Sequence, residues 1–330
     1  MDGPSEQDHR PAAPEPDLSF REAVIEGLAK PQKAIPSRYF YDERGSALFE
    51  QICALAEYYP TRTEIAILEA CCGEIARLLP PATAVIEMGS GSSTKVRTLL
   101  DCLRTPRAYV PVDISREHLI ASARSLAKAY PQLTVIPVWG DFARKLSMPV
   151  LPEAPRVIFF PGSTIGNFTP DGAVALLAGW SGHIGLGGHL IIGVDLKKDP
   201  QTLEAAYDDA AGVTAAFNLN LLVRANRELA ATFDVRGFAH RAFYDAKKGR
   251  VEMHLVSGAE QRVCVDDHSF EFSAGESIHT ENSYKYTIAE FQDLARAAGY
   301  QPVAAFTDSE ALFSVHVLQV QRLSLSRAPG

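Results

Sequence analysis

The chain alternates between two hydrophobic periods. Residues 61–79, TRTEIAILEACCGEIARLL, place apolar side chains at helical spacing, with Thr61 and Glu64 in the arrangement of a capping box. A helix is predicted there. Five short Val- and Ile-rich runs follow: TAVIEMG (83–89), RAYVPVDI (107–114), LTVIPVWGD (133–141), RVIFFPG (156–162) and HLIIGVDL (189–196). The helical patterns KVRTLLDCL, REHLIASARSLAKAY and DGAVALLAGWSGHI separate them. Strands alternating with helices at this spacing predict right-handed crossovers and an α/β fold, a parallel sheet covered on both faces.

The alternation breaks over residues 197–285, where one long helical stretch, GVTAAFNLNLLVRANRELAATF, precedes strand-like pieces such as GRVEMHLVS and QRVCVDD. This pattern predicts an insertion. The doubly wound pattern resumes at TIAEFQDLARAAGY, where Thr287 and Glu290 form a second capping box, and closes with QPVAAFTD and ALFSVHVLQV as a terminal pair of strands. Residues 1–17, rich in Pro and charge, read as a disordered tail without the apolar core of a signal peptide.

Composition narrows the function classes. The 330 residues are 46% hydrophobic, enough for a sizeable core. A net charge of -8 and a pI near 5.6 offer neither nucleic acid nor an anionic membrane surface a basic footprint. No apolar run approaches the roughly 18 residues that span a bilayer, so a cytoplasmic location is expected. The five cysteines contain no C-x-x-C, so no disulfide framework or zinc cluster is expected. The nine histidines lack helical ligand spacing, and no metal is expected.

Candidate chemistry falls at the carboxyl ends of the predicted strands, where open parallel sheets bind ligands. The first run ends in E-x-G-x-G, Glu87 to Gly91; Gly89 and Gly91 permit a tight turn and close backbone approach. Asp113 ends the second run, 22 positions beyond Gly91, where a carboxylate can accept both hydroxyls of a ribose. Asp141 and Phe142 end the third and suit an adenine, the acid taking its amino group and the ring packing on the base. A dinucleotide site needs a third glycine, and Thr94 stands in its place. The order of these signals resembles class I S-adenosylmethionine-dependent methyltransferases, with Lys95 able to reach the cofactor carboxylate. Plainer readings exist: an ordinary strand-to-helix turn for the two glycines, and a solvated helix charge for Lys95.

The segments KAIPSRYFYDERGSALFEQI (33–52), EYYPTRTEIAIL (57–68), GSTIGNFTP (162–170), AYDDAAGVTAAFN (206–218) and HTENSYKY (279–286) together resemble the histidine-specific N-alpha-methyltransferases of ergothioneine biosynthesis. The resemblance covers the chain from about residue 18 onward. It implies a Rossmann-like core, residues 61–196 plus 286–330, and a smaller α+β substrate domain, residues 18–60 plus 197–285. It also implies S-adenosylmethionine as cofactor and L-histidine as substrate, trimethylated on its α-amino group to hergynine (histidine betaine), by an enzyme expected to be a monomer.

The same resemblance implies the site. Asn167 takes the backbone end of the amino acid, where an amide offers both a donor and an acceptor. Gly162 brings its carbonyl to the amine, and Tyr41, Tyr58 and Tyr207 line the pocket, with Tyr207 joining Asn167 at the carboxylate. Glu281 and Ser283 recognise the imidazole and Met253 walls it. Tyr41 and Asn167 are the candidate catalytic residues, Tyr41 or a water passing on the protons released. Without the resemblance, Asn167 reads as a turn-closing amide and Glu281 as a solvated edge-strand residue. Three alternatives stand beside this reading: the same fold acting on a tryptophan derivative, a nicotinamide-dependent oxidoreductase, and a non-catalytic cofactor-binding module.

Overall fold

The computed structural model describes residues 18–91, 94–144, 146–151 and 153–321; the expected disordered tail, residues 1–17, lies outside the described residues. Two helices open the chain, α1 (Leu18–Leu28) and α2 (Glu43–Ala54), before the long α3 (Tyr59–Leu78). Then come β1 (Ala84–Met88), α4 (Thr94–Cys102), β2 (Ala108–Asp113), α5 (Arg116–Ala129), β3 (Thr134–Val135), β4 (Val138–Trp139), β5 (Arg156–Phe160), α6 (Pro170–Ile184) and β6 (His189–Asp195). The insertion supplies α7 (Pro200–Ala205), α8 (Val213–Leu229), β7 (Phe238–Asp245), β8 (Arg250–Ser257), β9 (Gln261–Val265), β10 (His268–Phe272) and β11 (Ser277–Tyr284). The chain ends with α9 (Ile288–Ala297), β12 (Tyr300–Thr307) and β13 (Phe313–Val320).

The main sheet runs β12-β13-β6-β5-β1-β2-β3, with β4 also on β2. β1 to β6 are parallel, whereas β13 joins β6 antiparallel and β12 pairs back on β13. The chain leaves β1 toward β2 and later returns to β5 on its other side. The crevice between the β1 and β5 ends is therefore the switch point at which such sheets bind ligands. The strands of this sheet are apolar without alternation because both faces are covered: β1, β5 and β6 are almost wholly buried, in two layers of core.

Two local expectations change. The third apolar run is two short edge pieces, β3 and β4, interrupted at Pro137, which has no N–H for the ladder. α3 starts at Tyr59 with Pro60 in its first turn, so Thr61 is not a cap, and Glu64 turns into the interior. The second capping box is present at Thr287 and Glu290.

A three-stranded antiparallel sheet, β11-β8-β7, and the hairpin β9-β10 pack with α1, α2 and α8 in a separate core that joins Phe20 to Tyr59 with Leu203 to Ile278. Cys72 and Cys102 form a disulfide between α3 and α4, where no disulfide framework was expected. Cysteine spacing along the sequence gave no sign of it because the partners meet only when two helices pack. Glu252, His254 and His279 converge from β8 and β11, but the carboxylate is already held by Arg250 and Lys248 as well as His254. No helix among the described residues is long and apolar enough to cross a membrane.

Candidate active site

A cavity of about 610 Å³ opens over the switch point. Its cofactor-side wall contains every residue singled out for that role: Gly89, Gly91, Lys95, Asp113, Asp141 and Phe142. Gly89 and Gly91 have φ of 75° and 40°, where glycine avoids the strain an L side chain incurs. A Cβ on Gly89 would meet the Phe142 ring at 3.4 Å, an ordinary van der Waals contact, so it is the positive φ that calls for glycine there. Asp113 caps this turn: Oδ2 accepts from Gly91 N at 3.2 Å and Oδ1 from Ser115 N at 2.8 Å. His118, which sequence reasoning missed, joins the same turn through Nε2 and the Gly91 carbonyl, 2.9 Å apart. Phe142 stands edge-on to Phe160 and Trp180. An apolar slot beside acidic Asp113 and Asp141, under a glycine turn, fits a cationic adenosyl sulfonium.

Lys95 is paired within the protein. Its ammonium lies 2.6 Å from Glu64 Oε2, and that oxygen also accepts from Gly162 N at 2.8 Å. Glu64 is fully buried, and Gly193 leaves room for it: a Cβ there would stand 2.0 Å from Oε1. The charge of Lys95 is thus balanced inside the protein. At the end of β1, burial pushes the Glu87 carboxyl up to about 8 although Tyr109 donates to it and Lys95 pulls the other way.

The acceptor side is built by the loop after β5. Gly162 (φ 80°) and Ser163 (φ 55°) turn it back, and residues 164–167 form a short 3-10 helix. Gly166 touches the backbone of β11, where a Cβ would come within 2.7 Å of the Tyr284 carbonyl. Asn167 is half-buried on the cavity wall, and its amide makes no hydrogen bond to the described residues. Tyr41 and Tyr58 line the cavity as well. Burial holds both phenols well above their ordinary range, with the charge of Glu281 adding to it at Tyr41 and that of Tyr207 at Tyr58.

Four predicted residues lie behind this wall: Tyr207, Met253, Glu281 and Ser283 do not line the cavity. Tyr207 is reached through Tyr58, their rings 6.3 Å apart and nearly perpendicular. Met253 and Glu281 stand opposite each other across β8 and β11, hence on one face. Burial pushes the Glu281 carboxyl up to about 7 against the pull of Lys285. Ser283 Oγ lies 2.7 Å from Tyr207 Oη.

Sequence reasoning also missed a buried charge cluster beside them. Asp195, at the end of β6, accepts from Lys285 and Lys198, each at 2.6 Å, and from Tyr59 at 2.7 Å. Burial pushes Lys198 down to about 8, with Asp195 opposing and Lys285 adding to the fall. Asp195 is held below its ordinary value: burial raises it, but the ammonium groups of Lys285 and Lys198 prevail.

Residues 20–320 match the family described as histidine-specific, S-adenosylmethionine-dependent methyltransferases. The chain belongs to this family. It is 41% identical over 304 residues to the histidine N-alpha-methyltransferase of Mycobacterium tuberculosis, covering 90% of this chain and 94% of the relative. The Mycolicibacterium smegmatis histidine N-alpha-methyltransferase is 39% identical over 303 residues, with the same coverage. An L-tryptophan methyltransferase of Psilocybe serbica is 28% identical over 325 residues, covering 89% of this chain and 91% of the relative. The family membership accounts for the glycine turn at the switch point and the antiparallel last strand as parts of one methyltransferase.

Proposed function

We propose that this enzyme trimethylates the α-amino group of L-histidine to hergynine, with S-adenosylmethionine as methyl donor, the opening step of ergothioneine biosynthesis. The observation that carries the reading is one cavity with a glycine-turn cofactor wall on one side and the free amide of Asn167 on the other. The main sheet serves as the cofactor domain, residues 61–196 with 286–330. Residues 18–60 with 197–285 serve as the substrate domain.

When bound, the cofactor supplies an electrophilic methyl group on a sulfonium. Gly89, Gly91, Asp113, Asp141 and Phe142 would hold it, and Lys95, balanced by Glu64, adds no net repulsion toward its positive charge. Asn167 binds the amino-acid end, and the carbonyl of Gly162 fixes the amine. Tyr41 and Tyr58 exclude water as neutral phenols whose electron-rich faces tolerate a quaternary ammonium product. An α-amino group of pKa near 8 is partly neutral at cellular pH, so no strong base is needed. Alignment and desolvation can supply about 7–11 kcal/mol. The third transfer ends the reaction because the nitrogen has no lone pair left.

The test is to incubate the enzyme with S-adenosylmethionine and each common amino acid and weigh the products. Histidine should gain three methyl groups, and Asn167→Ala should impair histidine use far more than S-adenosylhomocysteine binding. Preferred turnover of tryptophan, or of no amino acid, overturns the assignment.

A further inference from the structure

Lys285 follows β11 directly and continues its alternation, so it lies on the face that carries Glu281 and Ser283. Its side chain is wholly buried. The ammonium stands 2.6 Å from Asp195 Oδ2, 2.8 Å from Ser283 Oγ and 3.0 Å from Tyr207 Oη. Burial pulls it toward neutrality, but Asp195 and Tyr207 hold it above the ordinary lysine range, so it carries its charge. An ammonium has three protons and no acceptor. It therefore donates once to each of the three oxygens.

This leaves a short proton inventory. Tyr207 Oη and Ser283 Oγ lie 2.7 Å apart, so one of their two hydroxyl protons sits between them. The geometry allows either oxygen to donate; the phenol, the more acidic hydroxyl, is the better donor of the pair. Ser283 Oγ then accepts from both Lys285 and Tyr207, which fills its two lone pairs, and its own proton must point elsewhere.

We propose that Lys285 is a positioning residue that makes Ser283 an obligate donor, so that Glu281 and Ser283 together select the neutral imidazole of the substrate. The carboxylate takes the ring N–H and the hydroxyl gives its proton to the other ring nitrogen. An imidazolium brings two N–H donors and no acceptor, and its second N–H would face the Ser283 proton. Of the groups around the pair, Glu281 is itself raised by burial to about 7 and meets both rings alike, the phenols of Tyr41 and Tyr58 lie within its field, and Asp195, Lys198 and Tyr59 stand behind Lys285. The inference rests on the reading of Glu281 and Ser283 as the imidazole end of the site.

The test is calorimetric binding of histidine and of its 1,2,4-triazolyl analogue to the S-adenosylhomocysteine complex across mildly acidic to mildly basic pH. The triazole ring stays neutral where imidazole protonates. Both ligands share the same amino-acid end, so the ratio of their Kd values isolates the ring. In the wild type, histidine should weaken relative to the analogue by about tenfold one pH unit below the imidazole pKa of about 6.5. Lys285→Met and Tyr207→Phe each free a lone pair on Ser283 and should shrink that loss to less than about threefold. Asp195 keeps Lys198 and Tyr59 in Lys285→Met; if that variant does not fold, Tyr207→Phe decides alone. A pH-independent ratio in the wild type, or the full loss retained in the variants, overturns the proposal. Unchanged histidine affinity in Ser283→Ala at neutral pH instead removes Ser283 from the imidazole, and with it the reading on which the proposal rests.

Discussion

Glu87 should make the ligand-free protein less stable as pH rises through neutrality. The carboxyl is 2% exposed at the end of β1, accepts from Tyr109, and is pushed by burial from 4.5 up to about 8. An acid whose folded pKa exceeds its unfolded value favours the fold fully below the unfolded value, and this contribution fades as pH climbs toward the folded one. Complete ionisation would cost at most about 5 kcal/mol at 1.36 kcal/mol per pH unit, of which about 2–3 kcal/mol falls between pH 6 and 9. Glu87→Gln keeps a neutral side chain of the same shape and an acceptor for Tyr109 while removing that slope. At about 2 °C per kcal/mol, the Tm of Glu87→Gln should gain about 5 °C on the wild type between pH 6 and 9. Scanning calorimetry across that range reads this directly. Because the wild-type group is largely neutral at pH 7, S-adenosylhomocysteine affinity there should change less than about threefold. Parallel Tm curves would refute the argument, and a collapse of cofactor affinity would show that an ionised Glu87 acts on the ligand.

Asp113→Ala removes an acceptor that faces the cavity and holds the Gly91 turn; S-adenosylhomocysteine binding should weaken by about 1.5–3 kcal/mol, measured by titration calorimetry on folded protein. Glu281→Ala should lower kcat/KM for histidine by at least about 10²-fold, the loss of one charge-assisted bond, and narrow the gap to aromatic amino acids; wild-type preference in the variant would leave Glu281 without a role in recognition. Gly166→Ala places a Cβ within 2.7 Å of the Tyr284 carbonyl, and this backbone cannot yield cheaply. The loop carrying Asn167 should shift, lowering kcat/KM for histidine by about tenfold or more while S-adenosylhomocysteine affinity holds; equal loss of both would show general unfolding.

What the sequence displayed best was whatever repeats locally. The buried strands announced themselves as unbroken Val and Ile runs, and the cofactor turn as glycines that need positive φ. β11 shows both the reach and the limit of this reasoning. Its alternation puts Glu281, Ser283 and Lys285 on one face. Lys285 went unnoticed because a lysine in an edge strand normally points to water. Only the fold brings Asp195, 90 positions away, against it. Cys72 and Cys102 escaped for the same reason, being 30 positions apart on two helices that touch.

Glu64 carries that point into the mechanism. In the local pattern it completed a capping box with Thr61, a surface role worth about a kilocalorie. In the fold it reaches Lys95, 31 positions away in the cofactor wall, and the Gly162 amide, 98 positions away in the acceptor loop. One buried carboxylate oxygen thus joins the two walls between which a methyl group must pass. The same loop is fastened at its other end by Gly166 against β11, the strand of Glu281 and Ser283. Methyl transfer from a sulfonium to an amine demands distance and direction more than acid–base power. The contacts that set distance and direction join elements remote in sequence, which is why the chemistry was legible in the motifs while its alignment was not.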